Sequence, residues 1–150
     1  MDEQNKQSAA KNRNAFEQWQ KNSFVRENIE YYDRKWGSSS DELDAGWNWA
    51  GFLIGPSWAV YRKLYLEAAI VFAILSALAF VFPTAMSLYG WIFALGGNAM
   101  YRRKLVRIVK NSEGLGREEQ KALLRKKGGT NPIAAAIVTI AFLVLIFVSL

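Results

Sequence analysis

Apolar positions divide the chain into two regimes, with a short patterned segment between them. Residues 1–22 are polar, with Phe16 and Trp19 isolated among amide and charged side chains. They carry too little apolar surface to order themselves. From Asn22–Ser23 the spacing turns helical. Val25, Ile29, Tyr32 and Trp36 recur at i, i+4, i+7 and i+11, which predicts an amphipathic helix over 23–36. Asn22 or Ser23 would cap it, and Gly37 with the three serines after it would stop it. Its apolar stripe suits a membrane surface or the rest of the protein, or a partner that docks on it. Residues 37–46 read as a flexible acidic linker.

Beyond residue 46 the apolar runs lengthen. Residues 64–82 hold 19 positions with one charge, Glu67, and end at Pro83–Thr84. Residues 85–101 are 17 positions without a charge, and residues 133–150 are 18 apolar positions that follow Asn131–Pro132, an N-cap and first helical residue. A bilayer core needs ~20 apolar residues. The pattern therefore predicts transmembrane helices at 64–82, 85–101 and 133–150. The stretch "WNWAGFLIGPSWAVYRKLY" precedes them. Pro56 lacks an N–H and disfavours helix at Gly55. Gly55–Pro56 is thus expected to be an elbow after an interfacial segment, 47–55, and a continuous helix is expected from Pro56 to Phe82. Trp47, Trp49 and Trp58 are rings expected at headgroup depth. The expected fold is an all-α integral membrane protein: three transmembrane helices, an interfacial elbow helix and an N-terminal cytoplasmic amphipathic helix. It divides into an N-terminal region, 1–46, and a membrane domain, 47–150.

Charge gives this arrangement a direction. Residues 1–46 carry seven Lys/Arg and nine Asp/Glu, a net of −2; residues 47–150 carry twelve and four, a net of +8. Ten of those twelve cations fall in 102–127, beside three acids, whereas the turn near Pro83 has no charge. Cationic loops stay on the cytoplasmic side. The N-terminus and the basic loop at 102–131 are then cytoplasmic, and residue 150 lies outside. Gly114–Leu115–Gly116 splits that loop. Before it, Arg103, Arg107 and Lys110 share a helical face opposite Tyr101, Leu105, Ile108 and Val109, as expected for contact with anionic headgroups. After it, Glu118 and Glu119 open a helix that Arg125, Lys126 and Lys127 close, matching the helix dipole. Arg62 and Lys63 would mark the entry of the first span into lipid. The N-terminus is polar, so no cleavable signal peptide is expected.

With neither cysteine nor histidine, thiolate zinc sites, thiol nucleophiles and imidazole chemistry are excluded. No cofactor or metal site is expected. The cations hug apolar runs, which argues against a nucleic-acid partner. Glu67 is the sharpest polar feature, because an ionisable group inside a span is costly. Equal depth on the second span falls near Met100. This makes Glu67, Asn98 and Arg102 a candidate intramembrane cluster. Glu67 is read as a structural pair with Lys63 or a snorkelling group, as a headgroup-facing carboxylate, or as a coupling carboxylate. Small residues at four-residue spacing, including Gly51 and Gly55, permit close helix approach; a homo-oligomer is possible but not implied.

The order Trp47, Trp49, Gly55–Pro56, Trp58, "YRKLY", with "NIEYYDRKW" upstream and "KKGGTNP" before the last apolar run, resembles the DUF2628 family of small bacterial membrane proteins over roughly residues 24–132. The resemblance implies a bacterial inner-membrane address and no known activity. Leu64 stands where that family commonly has Met. The expectation for function is a non-enzymatic accessory protein of the inner membrane, in contact with anionic lipid and a membrane or cytoplasmic protein. The alternative is a lipid- or small-solute-handling protein that uses Glu67, Asn98 and Arg102.

Overall fold

A computed structural model describes residues 16–37 and 45–149, all-helical and without a strand among them. The elements are α1 (Gln18–Val25), α2 (Ile29–Gly37), α3 (Trp49–Tyr61), α4 (Tyr65–Ala79), a 3₁₀ turn (Pro83–Ser87), α5 (Leu88–Asn111), α6 (Arg117–Lys127) and α7 (Pro132–Ser149). The expected acidic linker lies mostly outside the described residues.

Local signals read from the sequence hold at several ends. Gly37 closes α2, and the Gly114–Gly116 turn separates α5 from α6. Asn131 caps α7, its Oδ1 accepting from the Ala134 N–H at 3.1 Å. The helix expected over 23–36 is instead two helices. Asn22 and Ser23 lie inside α1, and the chain turns at Arg26 and Asn28, both with φ near +60°. Phe16 and Trp19 are not isolated: both pack on the core, and the Phe16 ring meets that of Trp36 at 5.8 Å.

The region 47–82 also departs from expectation. Pro56 removes the N–H that would bond the Phe52 carbonyl, and Ile54 leaves helical dihedrals at φ −129°, ψ 38°. The two halves of α3 then fold into a V against α5. The Asn48 N–H bonds the Ala94 carbonyl at 2.9 Å, Gly51 abuts Phe93, and Gly55 abuts Tyr89 and Gly90. The second arm climbs back, with the Trp58 ring on Gly97 and Arg62 over Tyr101. Leu53 and Ile54, at the vertex, are exposed. Segment 47–55 is therefore one arm of a V rather than a flat interfacial helix.

The continuous helix expected from Pro56 to Phe82 breaks at Lys63. The Leu64 N–H reaches the Ala59 carbonyl at 2.8 Å and the Lys63 N–H the Val60 carbonyl at 2.9 Å, with Lys63 at φ +58°. This is a Schellman ending with lysine where glycine is usual, and Leu64 and Ala59 are both fully buried beside it. The span expected at 64–82 shrinks to α4, 15 residues, or ~22 Å at 1.5 Å per residue, short of a ~30 Å core. The one expected at 85–101 begins as a 3₁₀ turn and continues through Asn111. One segment, Arg117–Val144, which contains most of α7, is long and apolar enough to cross a membrane. Three full spans are thus not supported.

The molecule has two ends. At one, Phe24, Tyr32, Trp36, Tyr101, Leu105 and Leu124 form a core among α1, α2, α6 and the second half of α5. At the other, α3, α4, the turn that follows α4 at Phe80–Phe82, the first half of α5 and α7 carry the exposed large apolar side chains, every one except Leu115. Residues 45–61, 68–101 and 128–149 contain no charge.

Candidate functional site: a buried arginine between the two ends

Helix α3 ends where the two halves meet, which drives the Arg62 side chain inward. Arg62 is 2% exposed. Its guanidinium carbon lies 5.0 Å from the Tyr32 ring centre, 5.3 Å from Tyr61 and 5.4 Å from Tyr101. Its Nη2 donates to the Glu27 carbonyl at a long 3.4 Å, while Nε and Nη1 have no hydrogen-bond acceptor. The Glu27 carboxylate is engaged elsewhere, accepting from the Tyr61 hydroxyl at 2.9 Å and from Thr130 at 3.2 Å. Arg62 forms no ion pair among the described residues. Cation–π contacts return ~0.5–2 kcal/mol each, against a desolvation penalty of several kcal/mol for a buried ion. Burial pushes the Tyr32 hydroxyl well above its ordinary pKa, with the Arg62 charge opposing that shift. The rings therefore stay neutral and present their faces to the cation.

A cleft of about 280 Å³ opens beside this box, between α3 and α7. Ile54, Ser57, Trp58, Tyr61 and Arg62 line one wall, and Ala135, Ala136 and Thr139 the other. The Ser57 and Thr139 hydroxyls satisfy each other at 2.7 Å. The Asn131 N–H on the Tyr61 carbonyl, 2.8 Å, holds the start of α7 against the end of α3.

The predicted cluster of Glu67, Asn98 and Arg102 does not assemble. Asn98 and Arg102, four apart on α5, share one face and are buried. The Asn98 Nδ2 donates to the Tyr31 hydroxyl at 2.9 Å and lies 3.3 and 3.2 Å from the Ala45 and Gly46 carbonyls. Asn98 thus pins the chain entering α3. Glu67 instead sits near Lys104, which is 200° round α5 from Arg102. The Lys104 ammonium donates to the Lys63 carbonyl at 2.6 Å. Burial lowers its pKa to about 8; Glu67 opposes that shift, and Lys63 and Lys127 add to it.

The residues assigned to headgroup depth divide. Trp49, Arg103, Arg107 and Lys110 are exposed, and Lys63 and Trp47 are half-buried. Trp58 and Arg62 are buried, at 5% and 2%, because the returning arm of α3 packs them against α5. Trp47 joins a ring cluster with Trp49, Phe52 and Trp91. The elbow, Gly55–Pro56, lies beside the break at Ile54. The tyrosine box went unread in the sequence: Tyr32, Tyr61 and Tyr101 come from three helices, and only the returning arm of α3 brings Arg62 to them.

No metal-binding group of His, Cys, Asp or Glu occurs among the described residues. No curated protein and no solved structure matches the chain. The family model for DUF2628, described as a protein of unknown function, matches residues 4–107. The match reaches further toward the N-terminus than the motifs suggested, and it leaves out "KKGGTNP". Because the matched span covers well over half of its residues and takes in α1 to α5 up to Arg107, the chain belongs to the DUF2628 family.

Proposed function

We propose that this protein is a non-enzymatic accessory protein of the bacterial inner membrane that holds a helical cap on the cytoplasmic face for a protein partner. One observation carries the proposal: the exposed large apolar side chains gather on α3, α4 and the turn after it, the first half of α5 and α7, whereas the charges gather on α1, α2, α6 and the second half of α5. Burying Phe80, Val81 and Phe82, exposed at 92%, 71% and 63%, favours lipid by ~25 cal/mol per Å² removed from water. In this arrangement α7 spans the bilayer. The α4–α5 hairpin and the vertex of α3 enter it less deeply, with their backbone groups shielded by packing against one another. The cations of the cap face the cytoplasm and its anionic lipid.

Alkaline carbonate extraction tests the membrane part. The protein stays in the membrane pellet; release into the supernatant would overturn the assignment. A photo-crosslinking residue placed at Leu115 or Glu119, exposed on the cap, tests the partner. A discrete adduct with another protein is expected in cells, and none from either position would sink the adaptor role. The alternative of lipid handling through Glu67, Asn98 and Arg102 is the weaker reading, because Glu67 lies near Lys104 and the Asn98 amide is engaged with Tyr31, Ala45 and Gly46.

A further inference from the structure

The cleft between α3 and α7 is amphiphilic along its length. Arg62 stands at one end, and Ile54, Ala135 and Ala136 form apolar walls. Ser57 and Thr139 bond each other, and Asn28, which also lines the cleft, is exposed, so the buried polar group there with unpaired capacity is the guanidinium. That group is almost fully buried, has two nitrogens without acceptors, and makes no direct ion pair among the described residues, because the nearby Glu27 carboxylate is taken up by Tyr61 and Thr130. A buried cation in that state is completed by an anion that brings oxygen acceptors. Arg62 also marks the level where charge-free sequence begins on α3, and α7 starts beside it at Pro132. In a membrane this is headgroup depth.

We propose that the cleft binds one anionic phospholipid, its phosphate on Arg62 and one acyl chain lying between α3 and α7. The proposal rests on the membrane assignment above. The bound lipid then joins the apolar half to the cap, because the box that holds its phosphate includes Tyr32 of α2 and Tyr101 of α5.

Native mass spectrometry of the full chain in mild detergent tests this, with phosphatidylglycerol and phosphatidylcholine added at equal concentration. One phosphatidylglycerol is retained in preference to phosphatidylcholine. Arg62→Met lowers its occupancy about tenfold or more, as expected for loss of a charge-assisted contact. Ala136→Phe leaves Arg62 intact but fills the cleft, and lowers occupancy similarly. It decides the matter if Arg62→Met fails to give a helical, monodisperse protein. Retention of phosphatidylglycerol by the folded variants at the wild-type level overturns the proposal, as does equal binding of the two lipids by the wild type. Displacement of the lipid by inorganic phosphate or glycerol phosphate at matching concentration would mean an anion site without an acyl-chain groove, and also overturns it. Failure of the membrane assignment would appear separately, as wild-type protein released by carbonate.

Discussion

The V of α3 against α5 depends on two glycines whose replacement sets helix propensity against geometry. Gly51 and Gly90 both lie within helices, where glycine to alanine ordinarily stabilises by ~1 kcal/mol. Here a Cβ on Gly51 would stand 2.5 Å from the Phe93 carbonyl oxygen and 2.9 Å from its carbon, and one on Gly90 would stand 2.5 Å from the Phe52 oxygen. Ordinary contact needs roughly 3.3–3.6 Å even for a close C–H···O approach, so the backbones must part by nearly 1 Å. Overpacking of this kind costs ~1–3 kcal/mol. The separation also strains the 2.9 Å bond from the Asn48 N–H to the Ala94 carbonyl, worth ~0.5–1.5 kcal/mol. Clash outweighs propensity, and Gly51→Ala should destabilise by about 1–3 kcal/mol net. For a domain of this size that lowers Tm by roughly 2–12 °C. Thermal unfolding in detergent, followed by circular dichroism, measures it. Gly114→Ala, where a Cβ meets nothing within 4 Å, is the control and should stay within ~0.5 kcal/mol. Gly51→Ala and Gly90→Ala combined should cost less than their sum, since both open one interface. A Gly51→Ala protein as stable as wild type, or more stable, would refute the close crossing.

Four further outcomes are expected. Gly128→Ala should abolish or severely weaken folding of the cap, because its Cβ would lie 2.2 Å from the Phe24 carbonyl oxygen and 2.9 Å from that of Leu124; near wild-type helicity and Tm would contradict this. Glu67→Gln should lower the Lys104 pKa below its value of about 8, because Glu67 supports the charged form there. Amine-resolved NMR reads the shift, and no change would separate the two groups. By linkage, a lysine whose folded pKa lies below the unfolded ~10.4 loses the penalty of its buried charge as pH rises. The Lys104 contribution should therefore favour stability increasingly from about pH 8 toward 10, and Lys104→Met should flatten that rise. Lys63→Gly should fold with stability within ~1 kcal/mol of wild type, since φ +58° suits glycine, whereas Lys63→Val should lose ~1–2 kcal/mol; equal Tm values for the two would argue against the left-handed turn.

By itself the sequence determined the helical class, the apolar runs, the basic segment and several helix ends. Gly37, Gly114–Gly116 and Asn131–Pro132 act through hydrogen bonds and dihedrals a few residues away, so their signals are local. Tertiary structure decided where the long apolar stretches break and what they bury. Lysine does not advertise a left-handed helix end, so nothing near Lys63 announced that the helix would stop there. Its Schellman ending is held by the contacts of buried Leu64 and by the Lys104 side chain, 41 positions further on. The same holds for Asn98, which reaches back more than 50 positions to bond Ala45 and Gly46, and for Gly128, whose missing side chain makes room for Phe24. Arg62 looked like a marker of the membrane edge because charge beside an apolar run is ordinarily solvated. Its burial among Tyr32, Tyr61 and Tyr101 is set by side chains that meet only once the V of α3 has closed on α5.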